Sequence, residues 1–207
     1  MTSISIIGIG NMGSAITGIA AKSGAQVQVL ARDLAKAQEL AGTTGATAAT
    51  FGDALTGDIV VLAIPFPAVD DVVQSYGEQL AGKVVVDITN PVDFSTFDAL
   101  VVPSDSSAAA VIAEKVPGAR VVKAFNTNFA ATLNSGSVGD ATTTVLVAGD
   151  DQAAKDAVIG FVRGAGLNAE DAGSLKRARE LEGVGFLQLT LAAGEKIGWD
   201  AGFAVAK

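Results

Sequence analysis

Short apolar runs alternate along the chain with longer stretches whose apolar residues recur at helical spacing. The apolar runs lie at residues 3–7, 26–30, 58–64, 83–88, 120–125, 142–148 and 167–171. Each is brief, and Val and Ile dominate among them, the pattern of strands buried on both faces. Between them the spacing predicts helices over about 12–22, from 33 to 40, over 68–80, from Ser104 or Asp105 towards 116, over 152–163, and through a long C-terminal stretch, 175–199. Punctuation agrees with this division. Gly24 closes the first helix, Asp33 stands where a second helix needs its N-cap, and Pro65 and Asn90-Pro91 stop two of the strands. Such alternation implies an α/β fold, doubly wound around a mainly parallel sheet, with a C-terminal helical extension. No repeat or linker interrupts it, and the Gly- and Ser-rich residues 134–140 read as a loop. A single domain is expected over 1–207, with a core at 1–135 and, at 136–207, a sheet extension and closing helix.

Composition changes the picture by exclusion. Hydrophobic residues make up 49% and charged residues 17%, which suits a packed core rather than disorder. Acidic residues outnumber basic ones 22 to 14, for a net charge of −8, so a nucleic-acid or anionic-membrane partner is not expected. No run approaches the roughly 20 apolar residues of a membrane span, and the apolar start lacks the basic flank of a signal peptide, so a cytoplasmic location is expected. The chain has no Cys and no His. Thiol nucleophiles, His general bases, Ser-His-Asp triads and most metal sites are thereby removed. No metal is expected, and the chemistry should require no side-chain acid or base.

One glycine motif carries positive information. Gly8-Ile9-Gly10-Asn11-Met12-Gly13 follows the first strand directly and opens the first helix, the context that a Gly-x-Gly-x-x-Gly dinucleotide fingerprint requires. The implied architecture is Rossmann-type, binding NAD(P). Gly8 would permit the tight turn, Gly10 close approach of a pyrophosphate and Gly13 close helix–strand packing. The amides of Asn11 and Met12 would face phosphate at the positive end of the helix dipole. At the end of the second strand NAD enzymes place an acid, whereas this chain has Ala31, then Arg32 and, one helical turn on, Lys36. Two cations facing one spot suit a 2′-phosphate, so NADP(H) is the expected cofactor. The other readings are solvated helix-end charges and a ribose contact from Asp33.

Three further segments reach the same sheet edge: Ile64-Pro65-Phe66-Pro67, Thr89-Asn90-Pro91 and Asn126-Thr127-Asn128-Phe129. They offer amides, hydroxyls and aromatic faces but no strong acid or base. Such a lining suits hydride transfer to a conjugated small-molecule acceptor, in which the cofactor carries the electronics and the protein supplies orientation. A reductase of another small conjugated acceptor and a non-catalytic NADP(H) redox sensor are the competing readings. Plain core packing is the alternative for Phe66, Phe94, Phe97 and Phe129.

Taken together, the chain resembles the NADPH-dependent coenzyme F420 reductases, F420 being a 5-deazaflavin. The resemblance rests on the Gly8-to-Gly13 turn, Ala31-Arg32 with Lys36, Ile64-Pro65, Ser107-Ala108-Ala109, Lys123-Ala124-Phe125-Asn126-Thr127, Ala148-Gly149-Asp150-Asp151, Asp171-Ala172-Gly173, and Ala178-Arg179 with Glu182. The Phe-Asn-Thr segment is also similar to the cytosolic NADPH domain of membrane ferric reductases. The resemblance implies hydride transfer between nicotinamide C4 and deazaflavin C5, with coenzyme F420 or a flavin as second substrate. Arg32 and Lys36 would contact the 2′-phosphate, and Ile64, Pro65, Thr127 and Ala130 would stand beside the nicotinamide. The Gly-Asn-Met-Gly wording is similar to pyrroline-5-carboxylate reductases and β-hydroxyacid dehydrogenases too. Those families carry a large helical C-terminal domain, and only one long helical segment follows Gly173 here. Along that segment Leu181, Val184, Leu187 and Leu191 share one face, while Gly183, Gly185 and Gly194 imply close packing. It is expected to close the core, with Trp199 and Phe203 either joining a homodimer or overhanging the acceptor site.

Overall fold

The computed structural model describes residues 1–206, and the expected domain end, Lys207, lies outside them. Strand β1 (Ser3–Ile7) leads to helix α1 (Asn11–Lys22), β2 (Gln26–Ala31), α2 (Leu34–Thr44) and β3 (Thr47–Thr50). Then follow β4 (Ile59–Leu62), α3 (Val69–Tyr76), β5 (Val84–Asp87), α4 (Ala108–Lys115), β6 (Arg120–Lys123) and α5 (Ala130–Ser135). A small hairpin, β7 (Ser137–Val138) and β8 (Ala141–Thr142), precedes β9 (Thr144–Gly149), α6 (Gln152–Gly164), β10 (Asn168–Gly173) and α7 (Ala178–Ala193).

Eight strands form one sheet in the order β10-β9-β6-β5-β4-β1-β2-β3. The run from β3 to β6 is parallel throughout, and β9 joins β6 antiparallel. Winding reverses between β1 and β4, the switch point at which a doubly wound sheet opens a crevice. The central strands are apolar because both faces are covered. On one face Ile4, Ile6, Val29, Val61 and Val86 pack with Ile16 and Ala20 of α1 and Val158 and Val162 of α6. On the other, Ile7, Leu30, Val60 and Val85 pack with Val72 and Tyr76 of α3 and Ile112 of α4. Each such side chain contributes roughly 1.5–3 kcal/mol on leaving water.

The doubly wound, mainly parallel sheet and the C-terminal helix agree with the sequence pattern, and the differences are local. Strand β3 carries no apolar run, since Thr47–Thr50 is only half-buried at the sheet edge. The 68–80 helix is α3 followed by a tighter turn over Gly77–Leu80. Helix α4 starts later than Ser104 or Asp105, because Ser107 is its cap, accepting from Ala110 N. Residues 134–140 are not a free loop but end α5 and build the β7–β8 hairpin, with Gly139 at φ 56 in its turn. The C-terminal helix stops at Ala193, so Trp199 belongs to an irregular tail.

Candidate functional site

The glycine turn sits at the switch point with a geometry that other residues would break. Gly8 has φ +105, and a Cβ there would stand 2.2 Å from the Ala63 carbonyl oxygen. A Cβ on Gly13 would stand 2.1 Å from the Gly8 carbonyl oxygen, so this glycine is what lets α1 approach β1. Around Gly10 nothing lies within 4 Å of that position, so its missing side chain leaves room on the open side. Gly10 is the N-cap of α1, no side chain caps the helix, and its first turn has no acid. Helices α2, α4 and α6 are by contrast closed by Asp33, Ser107 and Asp151. The amides of Asn11 and Met12 therefore keep unmet hydrogen-bonding capacity at the positive end of a helix dipole, which favours an anion.

A cavity opens on each side of this turn. The first, of about 280 Å³, is lined by Gly8, Ala31, Arg32, Lys36, Ile64 and Pro65 together with Asp33, Phe51, Ala68, Asp71 and Val72. Six expected site residues thus converge here. Ala31 is small and buried. The Arg32 guanidinium stands 5.8 Å from the Phe51 ring centre, within cation–π range, and pairs with Asp71 at 2.6 Å. Asp33 turns its carboxylate inward to its own helix, accepting from Ala35 N at 3.1 Å and Lys36 N at 3.3 Å. Gly10 and Lys36 also share a shallower recess with Ser14.

The second cavity, of about 560 Å³, lies between the α1 N-terminus, the ends of β5 and β6, α5 and α7. It is lined by Asn11, Met12, Asn90, Asn126 and Ala130 among the expected residues, with Ser14, Asn128, Phe129, Asn134 and Trp199. Among the described residues no ionisable side chain lines it. Asn90 and Asn126 hold each other: Asn90 Nδ2 donates to the Asn126 carbonyl at 2.8 Å, and Asn126 Nδ2 donates to Asn90 Oδ1 at 3.0 Å and to the Leu181 carbonyl at 2.8 Å. Asn126 Oδ1 and Asn128 Oδ1 are buried without a partner among the described residues. Leaving such an acceptor unmet costs on the order of 1–3 kcal/mol. Thr127 is buried and lines neither cavity. Gly13 acts through packing. Phe129 and Trp199 form an aromatic pair with centres 5.1 Å apart, so the tail residue overhangs this cavity. Phe66 faces a different recess, beside Val101 and Pro103, and Phe94 is exposed against Phe97.

Sequence reasoning missed the Asp71 partner of Arg32 and the buried cluster of Asp87, Lys123 and Glu182. A charged residue ending an otherwise apolar strand, in Val-Val-Val-Asp87 and Arg-Val-Val-Lys123, is the signal that could have pointed to it. Among the described residues no cluster of His, Cys, Asp or Glu is arranged to hold a metal, and no helix is long and apolar enough to cross a membrane.

Comparison with known proteins fits this geometry. Residues 3–91 match the family described as NADP oxidoreductase, coenzyme F420-dependent. An F420-dependent NADP reductase of Methanocaldococcus jannaschii is 30% identical over 132 residues, covering 62% of this chain and 59% of the relative. Metalloreductase STEAP3 of Rattus norvegicus is 37% identical over 110 residues, covering 53% of this chain and 21% of the relative. The chain thus spans about three fifths of one curated relative and about a fifth of the other. A crystal structure of a candidate F420-dependent NADP-reductase from Arthrobacter sp. FB24 superposes with a TM-score of 0.85 at 27% identity, covering 100% of both chains.

Proposed function

We propose that the chain is an NADP(H)-dependent oxidoreductase that moves hydride between the nicotinamide and a deazaflavin or flavin-type ring, coenzyme F420 foremost. The observation that carries this reading is the uncapped α1 N-terminus standing between two cavities, one bearing Arg32 and Lys36 and the other lined by amides and aromatic rings. The cradle fits the cofactor: Gly10 leaves the approach open, and the Asn11 and Met12 amides face it.

On this reading Arg32 and Lys36 bind the 2′-phosphate, with the Phe51 face behind the guanidinium. Ile64 and Pro65 wall the crevice between the cavities. Asn90, Asn126 and Ala130 orient the reacting end, and Phe129 and Trp199 shut water from it. A bound nicotinamide would supply the hydride, one C–H bond breaking as another forms on the acceptor ring. The balancing proton comes from solvent, since among the described residues no ionisable group lines the larger cavity. Orientation is then the protein's main contribution, an effect that can supply several kcal/mol of the barrier.

A turnover panel tests the proposal, with NADPH or NADH against coenzyme F420, FMN, FAD, ferric chelates and quinones. NADPH oxidation is expected to be fastest with coenzyme F420. Tight NADPH binding without oxidation by any acceptor would replace the enzyme reading with that of a redox sensor.

A further inference from the structure

Behind the amide pair lie three buried charges that the hydride-transfer reading does not use. Asp87 and Lys123 are 0% exposed and Glu182 is 1% exposed. Lys123 Nζ stands 2.8 Å from both Asp87 Oδ2 and Glu182 Oε1, and it donates to the Thr89 carbonyl as well. Glu182 also accepts from the first amides of α4, Ala108 N at 2.8 Å and Ala109 N at 3.3 Å. Asp87 Oδ1 accepts from Thr89 N at 2.8 Å. Each of the three charged groups is therefore bonded, and together they tie β5, β6, α4 and α7 to one another.

Position along the chain gives the cluster its meaning. Asp87 precedes Asn90, Lys123 precedes Asn126 and Glu182 precedes Gly185, each by the same three-residue step. Those three followers touch one another. A Cβ on Gly185 would stand 2.4 Å from Asn90 Oδ1 and 2.8 Å from the Asn126 carbonyl oxygen. Between Lys123 and Asn126 the backbone reverses at Phe125, at φ 63, a left-handed conformation that is costly for a bulky side chain. It persists because the ring is fully buried, stacked 6.0 Å from Phe161, and because Lys123 is anchored two residues earlier.

We infer that Asp87, Lys123 and Glu182 are positioning residues, a clamp that holds the ends of β5 and β6 and helix α7 in one register and so sets the Asn90–Asn126 amide pair against the nicotinamide end of the dinucleotide. The inference rests on the function proposed above. None of the three lines either cavity, so they act through the amides. Burial, the largest influence on Glu182, holds its carboxyl above the usual range despite Lys123 and the α4 amides. A group whose charge is resisted by its surroundings is weak evidence for stability and is better explained by what it places.

The test uses the full chain with Glu182→Gln and Asp87→Asn, each of which leaves Lys123 one carboxylate, and with Gly185→Ala, which pushes on the amide pair directly. Two binding readouts are taken: the affinity for 2′-phospho-ADP-ribose, which lacks the nicotinamide, and the emission yield and lifetime of bound NADPH, which report how firmly the ring is held. All three variants should bind 2′-phospho-ADP-ribose within about twofold of the parent, with NADPH emission moving towards that of free NADPH. Wherever turnover is measurable, kcat should fall about tenfold to a hundredfold, the range expected of misplaced reactants. Variants matching the parent in NADPH emission and kcat overturn the clamp. So does a loss shared equally by both ligands in step with the thermal midpoint, which is the mark of a merely structural role. A parent chain that binds no NADPH refutes the proposed function itself, which separates the two failures.

Discussion

Arg32 has a partner in Asp71, and on the proposed function that contact competes with a phosphate. Its guanidinium pairs with Asp71, but both side chains are more than half exposed, at 74% and 55%. An ion pair so placed contributes roughly 0.2–1 kcal/mol, whereas a charge-assisted bond to phosphate contributes about 1.5–3 kcal/mol. On the proposed function the phosphate would win, with Asp71 a weak brake. Arg32→Ala is expected to weaken NADPH binding by about tenfold to a hundredfold and to leave NADH nearly unchanged, as titration of each nucleotide would show. Asp71→Ala should tighten NADPH by about twofold to fivefold at low salt, with the gain shrinking as salt rises. Equal losses for both nucleotides in the first variant would remove Arg32 as the phosphate reader. At this scale the sequence shows the candidates but not their partners. Arg32 and Lys36 announce themselves by following a strand end that lacks an acid, whereas Asp71 lies 39 positions away on another helix and carries no local sign of its target. The Asp87–Lys123 contact spans 36 positions and was equally invisible as a pair.

At the scale of the element, the turn separates two glycine roles that a motif alone runs together. Gly13→Ala puts a methyl against the Gly8 carbonyl, 2.1 Å from its oxygen. Forced overpacking of this kind costs about 1–3 kcal/mol, which in a chain of this size lowers the thermal midpoint by roughly 2–12 °C. Gly10→Ala meets nothing within 4 Å, so the midpoint should hold while the affinity for NADPH falls, because the methyl occupies the approach to the α1 amides. Thermal melts beside nucleotide titrations decide it, and a Gly10→Ala chain that melts early but binds normally contradicts the assignment. The elements themselves were readable wherever burial on both faces wrote a run of Val and Ile, as in β4 and β5. Legibility failed where that pressure eases. The edge strand β3, Thr-Ala-Ala-Thr, pairs with β2 at the sheet edge and is only half-buried, so it needs no apolar run. The antiparallel direction of β9 against β6 is a fact of pairing and leaves no trace in composition. The tail that carries Trp199 over Phe129 follows a helix whose end is marked by no proline, so the helical spacing seemed to continue.

The whole molecule should record the buried Glu182 in its dependence on pH. Burial raises the folded-state value above 4.5, with Lys123 and the Ala108 amide opposing the rise and the nearby Asp87 adding to it. Well below pH 4.5 the carboxyl is protonated in both folded and unfolded chains, and its contribution to stability is fully present. As pH rises the unfolded chain releases the proton first, and the folded state loses relative stability until its own, raised value is passed. Asp171 runs the other way. The Lys155 bond holds its value below 3.8, so its contribution is present at neutral pH and lost as acid takes it through that lowered value. The two groups can be separated by substitution. Glu182→Gln removes the first dependence and keeps the second. Thermal midpoints of parent and variant, followed from about pH 4 to pH 8, should therefore diverge in one direction: the variant gains on the parent as pH rises, whatever its offset at the acid end. Movement in the parent's favour would mean that Lys123 and the α4 amides outweigh burial and that the Glu182 charge serves stability first. The expected direction has a consequence for the site. A chain that buries a carboxyl at a cost to its own stability does so where the position of that carboxyl matters, at the junction that holds Asn90 and Asn126 in place.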